Sequence, residues 1–182
     1  MSLPVQPRLK ATVMDAAAIR RSLHRIAHEI IERNHGVRGL VLVGVISGGD
    51  HLARRLALIL SELEGIQVPV GSIDASRHRD DRHLRPQPPG PGSQLPSVTD
   101  ATVVLVDDVI HHGRTVRAAI EALIEHGRPR AIQLAVLIDR GHRQLPIRPD
   151  YVGKNVPSRE TEVVEVSLEE SAGVDAAVIL EA

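Results

Sequence analysis

The chain has 182 residues, 42% hydrophobic and 25% charged, with no cysteine and with Tyr151 as its one aromatic residue. That length suits one domain; the missing thiols exclude disulfides, thiolate zinc, iron–sulfur centres and a cysteine nucleophile, and the missing aromatics exclude nucleic-acid recognition by base stacking. The net charge of −1 hides an asymmetry: residues 160–182 carry seven acidic groups and no Lys or Arg, so the first 159 hold 22 basic and 16 acidic groups, a net +6 suited to an anionic ligand. No apolar stretch approaches the ~20 residues of a membrane helix and no basic segment leads into a signal-like core, so a cytoplasmic protein without a membrane partner is expected.

Residues 1–12, with Pro4 and Pro7 and little periodicity, read as a loose arm at the start of a single domain spanning 1–182. Asp15 reads as an N-cap; Ile19, Leu23, Ile26, Ala27, Ile30 and Ile31 then recur at helical spacing until Gly36. The opposite face of that helix gathers Arg21, His24, Arg25, His28 and Glu32. Residues 39–46 are apolar at nearly every position, as a strand covered on both sides would be. The run breaks at Ser47-Gly48-Gly49 and re-enters a helical pattern through Leu52, Leu56, Ile59, Leu60 and Leu63. Residues 66–74 form the next strand candidate. Residues 75–100, charged first and then rich in proline and glycine, fit no regular element and read as a flexible flap. Thr102–Asp107 is the clearest buried strand; a helix follows from Arg114 to His126 with Gly127 as its stop, then a strand over 131–138 and short late strands over 162–168 and 176–180. Strands alternating with helices predict an α/β fold with a mostly parallel central sheet flanked by helices.

The chemistry concentrates in residues 103–115, VVLVDDVIHHGRT. A buried strand delivers adjacent carboxylates, Asp107 and Asp108, to its C-terminal edge, where open α/β sheets place ligands. A short loop then enters a helix, with Gly113 permitting close approach and Thr115 supplying hydroxyl and amide donors for a phosphate. His24 and His28 have the i, i+4 spacing of a zinc pair, but residue 32 is Glu and no further ligand is placed, so they read as surface histidines on a basic face.

This stretch resembles the phosphoribosyl diphosphate (PRPP) motif of type I phosphoribosyltransferases. Together with RIAHEIIERN (25–34), VPVG (68–71), the Arg79-Asp80-Asp81 triplet and GRPRAIQLAVLIDRGHRQLPIRPDYVGKNVPS (127–158), it makes residues 13–180 similar to the PyrR family of pyrimidine operon attenuators that are also uracil phosphoribosyltransferases. The resemblance implies the type I phosphoribosyltransferase fold with a flexible flap and a small hood. It implies uracil, PRPP and UMP as ligands, Mg²⁺ carried in with PRPP and no dedicated protein cage for it, a pyrimidine mRNA leader as partner, and a homodimer or homotetramer. Residue by residue, it assigns Asp107 and Asp108 to the ribose hydroxyls as the catalytic pair, and His111, His112, Gly113, Arg114 and Thr115 to the 5′-phosphate. Ser47, Gly48 and Gly49 fall in the pyrophosphate loop, Arg79, Asp80 and Asp81 on the flap, and Ile138, Asp139 and Arg140 at the uracil pocket. Arg21, His24, Arg25, His28, Arg148 and Lys154 fall where the leader RNA would bind.

Three departures from the family pattern touch the site. Thr-Arg-Gly of the pyrophosphate loop is Ser47-Gly48-Gly49 here, Tyr-Thr-Gly-Arg-Thr is His111-His112-Gly113-Arg114-Thr115, and the flap's Ile-Thr-Leu-Tyr-Arg-Asp-Asp is Ala75-Ser76-Arg77-His78-Arg79-Asp80-Asp81. On the RNA side, His24 and Ser158 each stand where the family has Thr. A guanidinium missing from the pyrophosphate loop removes charge-assisted contacts, so the sequence leads to two expectations: weak phosphoribosyl transfer with nucleotide binding retained, and a roughly tenfold or greater gain in turnover on Gly48→Arg. A nucleotide-sensing RNA-binding regulator without catalysis is the alternative. A phosphoribosyltransferase for another base is a third reading, against which residues 141–148, GHRQLPIR, argue.

Overall fold

Strand alternation decides which side of the central sheet each residue serves. In the computed structural model, which describes residues 7–80 and 90–181, five parallel strands lie in one sheet: β2 (Leu40–Val45), β3 (Val70–Ile73), β4 (Thr102–Ile110), β5 (Ala131–Asp139) and β6 (Tyr151–Asn155), ordered β3-β2-β4-β5-β6. Leu40, Leu42, Val104, Val106, Ala135 and Leu137 join one apolar cluster with helices α1 (Ala16–Asn34) and α2 (Gly49–Glu64). Their neighbours Val41, Val43, Val103, Leu105, Leu134 and Val136 join a second with α3 (Arg114–Glu125). Both faces of the sheet are therefore covered, which is why β2 is buried at all six positions.

The helices begin where the sequence predicts. Asp15 caps α1, its Oδ1 accepting from Ala18 N at 2.7 Å, and His35 closes that helix in the left-handed region. α3 stops at Glu125 with His126 as its C-cap, one residue before the predicted glycine stop.

A second, antiparallel sheet forms the hood: β1 (Arg8–Met14), β7 (Glu162–Ser167) and β8 (Ala176–Glu181), ordered β1-β8-β7, with the single-turn helix α4 (Glu169–Ala172) between the last two. The expectation of a loose arm over 1–12 is corrected for residues 8–12, because Arg8–Met14 pairs with β8 from Arg8↔Glu181 to Met14↔Ala177; residues 1–6 lie outside the described residues. β1 is an edge strand whose apolar Leu9, Ala11 and Val13 alternate with Arg8, Lys10 and Thr12; the alternation is short and follows two prolines, and only Ala11 and Val13 on the apolar side are half-buried. β6, likewise unpredicted, is the edge of the main sheet and is half exposed. Arg55 of α2 ties hood to core: its guanidinium donates to both oxygens of Glu170 (2.5–2.8 Å) and of Asp175 (2.7–2.8 Å), and these bonds raise its pKa.

The flap expectation over 75–100 divides. Ser76–His78 forms one 3₁₀ turn, and the Ser72↔Gln94 bridge, with N–H donation both ways at 2.8 and 2.9 Å, fastens residue 94 to β3. Asp81 and residues 82–89 lie outside the described residues. No helix among the described residues is long and apolar enough to cross a membrane.

Candidate active site

β2 and β4 are parallel neighbours whose connections leave in opposite directions, β2 through α2 to β3 and β4 through α3 to β5. The crevice at their C-terminal ends is thus the switch point at which doubly wound sheets bind ligands. Asp107 and Asp108 lie there, within β4 rather than after it, because the strand runs on to Ile110. Asp107 is 4% exposed, and its Oδ1 accepts a short-range bond from Asp108 N at 3.0 Å; Asp108 Oδ1 accepts from Val109 N at 2.7 Å. Burial, then the Asp108 charge, pushes the Asp107 carboxyl well above the ordinary carboxylate range, and burial raises Asp108 as well. A buried pair in this state favours partners that donate hydrogen bonds or bring positive charge.

The β4–α3 loop is the second part. Gly113 occupies the N-cap of α3 at φ +93°, a left-handed conformation that glycine enters without penalty. The first turn of α3 that follows, Arg114 to Val116, borders the crevice. Thr115 Oγ1 accepts from Arg79 Nη1 at 3.0 Å; Arg114 donates to Asp80 Oδ2 at 2.6 Å and to Gln144 Oε1 at 3.0 Å. The rings of His111 and His112 stack with centroids 3.7 Å apart, and His142 meets His111 edge-on at 5.8 Å. Among the described residues, Nε2 of neither His111 nor His112 has a hydrogen-bond partner. Burial, then the charges of Arg140 and its neighbours, pushes His111 down to about 4.

Most of these groups, though not Asp108, Asp80 or His142, line a cavity of about 540 Å³ that takes in Asp107, residues 109–116, Arg79, Arg140, Gln144 and the hood edge Glu160–Val163. The hood wall and Gln144 were not singled out in the sequence. Gln144 lies inside the GHRQLPIR segment flagged there; the hood wall carries no local signal, being brought in by sheet pairing.

Ser47, Gly48 and Gly49 do not line this cavity. They lie beside the acidic pair: a Cβ at Gly49 would meet Asp107 Cα at 3.0 Å. At Gly48, φ is +102° and a Cβ would stand 2.7 Å from Asp108 Oδ2. The expected gain from Gly48→Arg is therefore corrected, because any side chain at 48 adds backbone strain and displaces the Asp108 carboxylate.

The remaining predicted residues are dispersed. Ile138 is fully buried in the core. Asp139 pairs with Arg143 at 2.6 Å, outside the cavity lining. Arg140 is 7% exposed, donates to Ser158 Oγ at 2.9 Å and Arg159 O at 2.8 Å, and is the one predicted uracil-pocket residue that lines the cavity. It also borders a shallower depression of about 700 Å³ that holds Arg148, Arg143 and His142. Arg21, His24, Arg25 and His28 are exposed on one face of α1. Arg25 donates to Val152 O (3.0 Å) and Gly153 O (2.6 Å) of β6, which brings that face alongside Lys154. Lys154 Nζ donates to Val13 O at 2.8 Å. Among the described residues no group of three or more His, Asp or Glu side chains could hold a metal.

A phosphoribosyl transferase domain matches residues 11–171. The Bifunctional protein PyrR of Brevibacillus brevis is 57% identical over 163 residues, 88% of this chain and 91% of the relative. That of Pelotomaculum thermopropionicum is 57% identical over 176 residues, covering 96% and 97%. The chain belongs to the PyrR family. Among solved structures, this PyrR-family chain is similar to the hypoxanthine phosphoribosyltransferase of Trypanosoma cruzi (TM-score 0.70, 20% identity, 95% of this chain and 97% of the other). It is also similar to a hypoxanthine-guanine phosphoribosyltransferase from Bacillus anthracis (TM-score 0.65, 19% identity, 94% and 98%). At those identities the likeness is one of fold, and it agrees with the type I phosphoribosyltransferase architecture.

Proposed function

We propose that this chain is a PyrR-type regulator that binds pyrimidine mRNA leader in response to UMP and transfers a phosphoribosyl group from PRPP to uracil, with weak turnover. The observation that carries the reading is the Asp107–Asp108 pair at the β2/β4 switch point, flanked by the N-termini of α2 and α3. A ribose with a phosphate at each end matches that order: anion donors, carboxylates, anion donors.

In the reaction the bond from C1 of the ribose to pyrophosphate breaks, the bond from uracil N1 to C1 forms, and the N1 proton leaves. The Asp107 and Asp108 carboxylates accept the ribose hydroxyls and face the positive charge that develops at C1. The Gly113–Thr115 amides, the Thr115 hydroxyl and Arg79 hold the 5′-phosphate. Arg140 and the hood edge enclose the base side, and positioning supplies much of the rate. The residues fit a Mg²⁺ that arrives on PRPP, since two adjacent buried carboxylates welcome a cation that brings its other ligands with it. Such an ion would neutralise the departing pyrophosphate.

The second reading, nucleotide sensing without transfer, is favoured by one observation: Ser47-Gly48-Gly49 has no side-chain cation. On the RNA side, the exposed face of α1 and Lys154 would meet phosphates, and Arg148 would extend it. The test is UMP formation from uracil and PRPP, together with leader-RNA binding with and without UMP. UMP-dependent RNA binding with a slow but measurable reaction is the expected result; absence of both defeats the proposal.

A further inference from the structure

Asp50, the second residue of α2, faces back onto the Ser47–Gly49 loop. Its Oδ1 accepts the Gly48 N–H at 3.1 Å, and its Oδ2 faces Arg54 Nη1, one turn along the helix, at 3.5 Å. The side chain is 15% exposed, so solvent screens it only in part. On the other side of Gly48, Asp108 Oδ2 stands 2.7 Å from the place a Cβ would fill. The Gly48 amide is already bound to a carboxylate, and a second carboxylate stands against the same residue. The cation one turn along, Arg54, faces that same Asp50. At the α3 end Arg114 is likewise paired, with Asp80 at 2.6 Å, but Thr115 is met by the Arg79 guanidinium, and among the described residues no carboxylate accepts from the amides of the first turn.

We propose that Asp50 is a specificity-determining residue: its carboxylate acts as an internal anion on the α2 loop, so the site accepts a nucleoside monophosphate through α3 and disfavours a ligand that carries a diphosphate to α2. This rests on the reading above, in which the 5′-phosphate lies at α3 and the diphosphate at α2. A hydrogen bond to a charged acceptor is among the stronger ones, and two anions a few ångströms apart in a partly buried crevice repel strongly. The native chain therefore binds UMP more tightly than PRPP, and product retention rather than rapid turnover is the natural state of the site.

Calorimetry of UMP, PRPP and inorganic pyrophosphate, with and without Mg²⁺, on the native chain, Asp50→Asn and Asp50→Ala tests this. Asparagine keeps the oxygen that caps Gly48 N and removes the charge; alanine also frees the N–H. The expected result is a roughly tenfold gain in PRPP and pyrophosphate affinity for Asp50→Asn, a larger one for Asp50→Ala, and UMP affinity within twofold of native in both. The ratio of two affinities is a readout that a purely structural helix cap would not move. Equal shifts for UMP and PRPP, no shift for PRPP in a variant with native melting temperature, or a loss of PRPP affinity (as for a cation ligand) each overturn the inference. UMP bound by all three proteins without a PRPP response would sink the role of Asp50 alone. Neither ligand bound by any of them would overturn the reading of the cavity too.

Discussion

Arg79 donates from Nη1 to the Thr115 hydroxyl at 3.0 Å, closing the segment that follows the Ser76–His78 turn onto the first turn of α3. The same guanidinium lowers the pKa of Asp107, opposing the burial that raises it. One side chain therefore bonds to the Thr115 hydroxyl and acts through its charge on the buried Asp107. Replacing Arg79 with alanine is expected to weaken UMP binding about tenfold, since a charge-assisted contact of ~1.4 kcal/mol is modest for a partly buried anion site. Titration calorimetry at constant ionic strength measures it, and an unchanged affinity would remove Arg79 from the phosphate site.

Asp107→Asn should trade function against stability. A carboxyl whose folded pKa lies above its unfolded value binds more protons in the fold than out of it, so its contribution is favourable in acid and is lost as pH rises through the folded pKa. Neutral asparagine escapes that loss. At pH 7 the variant should melt higher, by roughly 2–4 °C for each kcal/mol recovered in a chain of this size, with the gap closing toward pH 4. UMP or PRPP affinity should fall with the fold intact. A variant that melts lower at pH 7 contradicts the assignment of burial as the dominant effect.

His111 has the opposite sign. Its folded pKa, pushed down to about 4, lies below the unfolded one, so the unfolded chain binds more protons between about pH 4 and 6.5 and stability rises with pH across that window. His111→Gln should flatten the part of the melting-temperature profile between pH 5 and 7. A phosphate dianion placed beside the ring would favour its protonated form, so native UMP binding at pH 6 should take up a proton. Calorimetry in buffers of different ionisation enthalpy reads that uptake directly, and zero uptake separates His111 from the ligand.

The basic face needs two variants, because Arg25 serves the fold. Its guanidinium joins α1 to the Val152 and Gly153 carbonyls of β6, so Arg25→Glu should cost about 1–2 kcal/mol of stability in addition to any RNA effect. Arg21→Glu, on the same exposed face, should lower leader-RNA affinity and reduce the salt slope by ~0.7 per lost phosphate contact, with the melting temperature unchanged. Equal binding of pyrimidine leader and an unrelated hairpin would end the attenuator half of the proposal.

Local chemistry made much of this protein legible in its sequence. Asp15 as a cap, the doubly covered strands β2 and β4, the acidic pair and the Gly113–Thr115 turn are each settled by neighbours within a few residues, where periodicity and capping act. The resemblance carried by residues 103–115 and 127–158 extended that reading to the family. What tertiary structure alone decided involves partners far apart in the chain. β1 exists because Arg8–Met14 finds β8, some 170 residues on; its alternation of Leu9, Ala11 and Val13 with polar residues is too short to establish a strand without that partner. Glu160–Val163 becomes a wall of the cavity only through the hood sheet, and Ile138, two residues before Arg140, stays in the core within β5, whereas the strand ends at Asp139 and leaves Arg140 to reach the cavity from the loop. Asp50 appears in sequence as an ordinary acidic residue in the first turn of a helix. Only the fold of the Ser47–Gly49 loop sets its carboxylate on the Gly48 amide and brings Asp108, 58 positions along the chain, to the other side.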